Sequence, residues 1–181
     1  MSRATTLAGW LVVAGCCAAT PVAADVDAAA ARQALVLTEE PAGALPLAAA
    51  REQLGIEPRA VVVAGRIGGK GVEPFLEGKA SFSLLEVPAA DDHAAKPGHD
   101  ADNCPFCKKR QANATMAAVQ FLGPDGKPIP VDARTLFGVQ KGQDVVIRGT
   151  GVFDTKLGVP IIQVTADGIF VRPPAKQPPA K

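Results

Sequence analysis

Both histidines of the chain, His93 and His99, stand just upstream of Cys104 and Cys107, the only two of its 4 cysteines outside the N-terminal leader. The spacing is His-x5-His-x4-Cys-x2-Cys. A Cys-x2-Cys turn brings two thiolates to one side, and Pro97-Gly98 lets the preceding segment fold back so that the imidazoles can complete a tetrahedron. Zinc accepts such a set of two sulfur and two nitrogen ligands. Copper(I) would take the thiolates, with the imidazoles as secondary ligands. Forming the site would also order a loop that has little apolar material of its own. A zinc or copper site built from His93, His99, Cys104 and Cys107 is therefore the leading expectation for this segment.

Three other chemistries fit the same residues. Cys104 and Cys107 could close a disulfide in an oxidising compartment, with both histidines solvated. Cys104-Pro105-Phe106-Cys107 also matches a glutaredoxin-type tetrapeptide, with Cys104 attacking and Cys107 resolving. That use needs the first thiol at a helix N-terminus, where the helix dipole favours the thiolate. Lys108-Lys109-Arg110 would act in the same direction and a short helix could form there, but the surrounding βαβ context of such a motif is absent. Finally, Asp91, Asp92, Asp100 and Asp102 supply oxygen ligands for calcium without EF-hand spacing. No Ser/His/acid set for hydrolysis is recognisable, because both histidines sit in this one loop. The catalytic residue set is empty at this level, and a non-enzymatic module is the simpler expectation.

The elements that must position the loop are mostly strands. Residues 60–67 are a β-branched run that stops at Gly68-Gly69, and 80–87 begin with apolar and polar residues alternating. Residues 114–122 form a third run, ending in the turn signal Gly123-Pro124-Asp125-Gly126. Asp132 can cap a short helix that Gly138 closes. A fourth strand covers 143–153, and a fifth starts at 160 and bends near Asp167-Gly168. Three strands, a short helix and two more strands is the element order of the OB-fold, a five-stranded, partly open barrel. Gly65 and Gly149, each inside a strand, suit the tight coiling of a small barrel. The expected class is therefore mainly β: an OB-like barrel over residues 59–172, with the His/Cys insert at 88–112. An open five-stranded meander is the alternative.

The barrel is preceded by an Ala-rich stretch, residues 25–58, in which 27–37 and 45–54 could be helical around a turn at 40–43; a flexible spacer reads equally well. The tail, 173–181, is rich in Pro and Lys and is expected to be disordered. Gly68, Gly69 and Gly71 are not followed by the Lys-Ser/Thr helix start of a phosphate loop, so they read as an interstrand loop. Arg66, Lys79, Arg148 and Lys156 could line a ligand face of the barrel, although a solvated strand surface would look the same.

The combination Val62-Val63-Ala64-Gly65-Arg66-Ile67-Gly68-Gly69, the Cys-containing insert, Asp132-Ala133-Arg134-Thr135-Leu136-Phe137-Gly138 and Ala166-Asp167-Gly168-Ile169-Phe170-Val171-Arg172 resembles a family of exported OB-like proteins from planctomycete-type bacteria. The resemblance covers most of residues 38–172. It implies the barrel, export, and cysteines between the second and third strands. It transfers no activity.

Residues 1–24 read as a signal peptide, with Arg3 as the positive n-region and an apolar stretch too short for a permanent membrane span. Val22-Ala23-Ala24 suits cleavage before Asp25, while Val13-Ala14-Gly15-Cys16 resembles a lipobox that would lipidate Cys16. Export to the periplasm or cell envelope is expected either way, with membrane attachment only through a lipid on Cys16. A formal net charge of +1, 7 Phe, 1 Trp and no Tyr leave neither a basic field nor a stacking platform, so no nucleic-acid partner is expected. The expected function is an exported OB-like module that binds an unknown small ligand or protein and carries a His/Cys metal loop. A thiol-disulfide protein, or a disulfide-stapled binding barrel, is the alternative.

Overall fold

The computed structural model describes residues 27–87, 103–154 and 161–173. The leader with Cys16, both histidines, Asp91, Asp92, Asp100, Asp102, Lys156 and the tail beyond residue 173 lie outside them.

In chain order the elements are α1 (Ala28–Leu35), β1 (Leu45–Pro46), α2 (Leu47–Gln53), β2 (Arg59–Ile67), β3 (Ser81–Leu85), α3 (Pro105–Asn113), β4 (Met116–Phe121), α4 (Ala133–Phe137), β5 (Asp144–Phe153) and β6 (Ile161–Val171). Strands run in the order β2-β3-β4-β6-β5, and β5 pairs back onto β2, which closes a five-stranded barrel. Within it only β4 and β6 are parallel. The class is the one expected: an OB-like barrel with a short helix between its third and fourth strands.

Side-chain alternation explains closure. Along β2, Val61, Val63 and Ile67 point into the barrel while Val62, Ala64 and Arg66 point away. Phe82 and Leu84 of β3, and Ala117, Val119 and Phe121 of β4, face the same interior. On β6 the inward set is Ile162, Val164 and Ala166, then Ile169. That one-residue change of phase comes from a bulge: Arg148 pairs with Gly168 and Gly149 with Ala166, so Asp167 has no residue opposite it. Gly149 is needed there, because a Cβ would collide with the Thr165 carbonyl oxygen and lie 2.8 Å from Ala166 Cα. The bend read near Asp167-Gly168 is thus a bulge within one continuous strand.

At one end α4 covers the interior. Asp132 accepts the Arg134 N–H at 2.9 Å, and Gly138, with φ 71°, ends the helix in the left-handed conformation that favours glycine. Leu136 and Phe137 are thereby buried, with the Phe137 ring tilted against that of Phe121 at a centroid distance of 4.5 Å.

The Ala-rich segment is part of the fold and not a free spacer. Asp27 caps α1, Leu37 donates its N–H to the Ile169 carbonyl, and the Leu37 side chain lies over Gly168. Arg172 reaches back to Glu40. The seam between β2 and β3 is paired only at Arg66 and Ile67. Further along β2, β1 pairs in parallel with Val63 and Ala64, and α2 sends Leu47 and Ala50 into the core, both 0 % exposed. Among the described residues no helix is long and apolar enough to cross a membrane.

Candidate dithiol site

The insert that carries the cysteines leaves the barrel from the β3–β4 hairpin. Leu85 pairs with Met116, and Glu86 N–H donates to the Thr115 carbonyl at 3.0 Å. The Glu86 carboxylate then accepts the Ala48 N–H at 2.7 Å and also meets the Leu47 N–H, so the stem is tied to the start of α2.

Burial pushes the Glu86 carboxyl above its ordinary value, against the pull of those two amides. A carboxyl raised in the folded state is held protonated more tightly there than in the unfolded chain. Its favourable contribution is complete below about pH 4.5 and is lost as pH rises through the folded value. Glu86→Gln, neutral at every pH, should therefore lose less stability than the parent between about pH 4 and 7. Urea midpoints of both proteins across that range check this; parallel curves would show that Glu86 titrates as it does in the unfolded chain.

Past the stem, α3 supplies the local geometry of the thiols. Pro105 stands at its first position, where a fixed φ and a missing N–H cost nothing. Lys108 N–H donates to the Cys104 carbonyl at 3.0 Å, the first helical hydrogen bond, which makes Cys104 the N-cap residue. The Cys104 sulfur occupies the place a serine oxygen takes in an ordinary cap. It accepts the backbone N–H of Cys107, the thiol of Cys107 and the N–H of Phe106, which together hold its pKa below the usual thiol value despite some desolvation. The first turn contains no acidic residue to oppose the thiolate. Cys107 behaves in the opposite way: burial first, then its hydrogen bond to Cys104 and the charge there, pushes its thiol up.

Exposure separates the two thiols as well. Cys104 is partly exposed, Cys107 only 5 % exposed, and the two are not joined in a disulfide. Phe106, between them, is 77 % exposed. The arrangement is a partly exposed sulfur whose ionisation the helix amides favour, beside a buried thiol whose ionisation burial opposes, within a single helical turn. Such a pair can attack a disulfide and then close on itself, or supply two thiolates to a metal ion.

Of the four residues expected to form a metal site, the structure brings Cys104 and Cys107 together; His93 and His99 lie outside the described residues, as do the four aspartates of the calcium reading. Among the described residues no group of three or more His, Cys, Asp or Glu side chains converges. Two of the cations considered for a ligand face are engaged elsewhere. Arg66 binds Asp144 through two nitrogens, at 2.6 and 3.0 Å, and Arg148 Nε lies 2.6 Å from Asp167. An open groove of ≈ 260 Å³ on the barrel wall is mainly apolar, lined by Ala118, Ile161 and Val164 among others, with Ser81, Gln120 and Gln163 as its uncharged polar residues.

The exposure of Phe106 and the Glu86 tie were not anticipated, while the short helix that could follow the motif is present as α3. Cys-Pro at the head of the motif, which places proline at the first helical position, was the available signal for the helix. No protein-family model matches this chain, and no curated protein matches it. The class defined by the fold is the OB-like barrel, with a dithiol helix inserted between its second and third strands.

Proposed function

We propose that this protein is an exported OB-like module whose Cys104 and Cys107 carry out thiol-disulfide exchange. One observation carries this reading: the partly exposed Cys104 caps the N-terminus of α3 while Cys107 is buried in the same turn. The helix end that glutaredoxin-type chemistry requires is therefore present, although the barrel around it is of a different kind. Cys104 is the attacking thiol and Cys107 the resolving one. Titration against a thiol-disulfide buffer, read by counting alkylated thiols, should give one two-electron transition in which both cysteines change together. Thiols that stay reduced across the whole buffer range would overturn this reading.

A second reading is favoured by the presentation of both sulfurs on one turn downstream of the two histidines. In it Cys104 and Cys107 hold zinc or copper(I) with His93 and His99, and the metal orders the insert. Elemental analysis of anaerobically purified protein separates the two. About one metal per chain, lost in the His93→Ala/His99→Ala variant, supports the metal site. Metal-free protein with two titrating thiols supports exchange.

A further inference from the structure

A thiol that attacks disulfides must also recognise the molecule carrying them, and among the described residues the charged side chains of the helix that Cys104 caps are of one sign. Lys108 and Lys109 are both exposed, and Lys108 lies one helical turn beyond Cys104. Between Asn103 and Ala114 the sequence has three cations and no carboxylate. Phe106, three residues from Lys109 and so on a neighbouring strip of the helix, leaves 77 % of its surface in water. The other exposed large apolar side chains among the described residues, Ile56, Val72 and Leu76, are less exposed, and none of them is in α3. Cys104 and Lys108 thus share one strip of α3, and Phe106 and Lys109 share another, so one helix offers an apolar contact and a charge contact at once. A small neutral disulfide would use neither.

We propose that the partner of Cys104 is a polypeptide disulfide flanked by acidic and apolar side chains, with Lys108 and Lys109 engaging the carboxylates and Phe106 the apolar group. This rests on the exchange chemistry proposed above. The Cys104 thiolate attacks one partner sulfur, so a Cys104–partner S–S bond forms as the partner's own S–S bond breaks. The departing partner thiolate takes up a proton. Cys107 then loses its proton and attacks the Cys104 sulfur, closing the Cys104–Cys107 disulfide. The second partner thiolate leaves and accepts that proton. The chain's dithiol is oxidised by two electrons and the partner disulfide is reduced by two, with no other reactant.

The test uses the reduced full chain and two synthetic peptide disulfides that differ only in flanking residues, Glu and Leu in one, Lys and Ser in the other. The acidic-apolar peptide should oxidise the chain about ten-fold faster at low salt, with the preference shrinking as salt is added. Lys108→Glu/Lys109→Glu should reverse the charge preference, and Phe106→Ser should remove the part that survives high salt. Because all three residues are exposed, these variants keep the barrel core intact, and rate ratios cancel any change in thiol reactivity. Equal rates for the two peptides, or a preference unchanged in the variants, would overturn the partner assignment while leaving exchange standing. Equal rates are the outcome expected if Asp100 and Asp102 neutralise the lysines. Failure to react with either peptide would overturn both the partner assignment and the exchange chemistry.

Discussion

Cys104→Ser should reduce disulfide exchange by about a hundred-fold or more, whereas Cys107→Ser should retain the first step and accumulate a mixed disulfide. The asymmetry follows from position. Serine at 104 still caps α3, since its oxygen accepts the same amides, so the helix persists and only the nucleophile is lost. Serine at 107 removes the resolving thiol and the S–H that donates to Cys104. The accessible sulfur still attacks, but its adduct has no internal route to release. Mass spectrometry after mixing with a peptide disulfide distinguishes the two. Equal loss in both variants would mean that the thiols act as a unit, as ligands of one metal would.

The second large effect concerns the N-terminal segment. Leu47→Ala should destabilise the barrel by about 3 kcal/mol, with a matching fall in the urea midpoint. Leu47 is wholly buried, although it belongs to a two-turn helix outside the five-stranded ring. It sits where β2 has no β3 partner, so truncation opens a cavity at the weakest seam of the barrel. Neighbouring Ala48 and Ala49 are not buried and should tolerate polar substitution with little change. A Leu47→Ala protein as stable as the parent would show that α2 merely rests on the barrel.

The contrast between these two regions explains what could be read in advance. The strands were legible because β-branched and aromatic residues alternate along them, as in Val61, Val63 and Ile67 against Val62, Ala64 and Arg66. Helix α4 was legible because Asp132 and Gly138 mark its ends with side-chain and backbone chemistry. The docking of 27–54 was not, because alanine gives no clear apolar face and only Leu47 and Ala50 are fully buried. Helix α3 was legible only as a short helix that could follow the motif, for a related reason. Pro-Phe-Cys-Lys-Lys-Arg-Gln-Ala-Asn has no apolar stripe of helical period, so its start is marked only by the Cys-Pro step. Long-range ion pairs such as Arg66–Asp144 depend on register between distant strands, and local sequence carries no sign of them. The dithiol was identified from spacing; the division of labour between its sulfurs depends on a helix end and on burial, which spacing does not encode.

That division is what alkylation measures most directly. The reduced protein, held with a chelator at near-neutral pH, is given a limiting amount of iodoacetamide, and each thiol is quantified by peptide mass spectrometry. Cys104 should be modified at least about ten-fold faster than Cys107, and denaturant should bring the two rates together. Equal rates in the folded protein, or faster modification of Cys107, would contradict an accessible nucleophile at Cys104 backed by a buried resolving thiol.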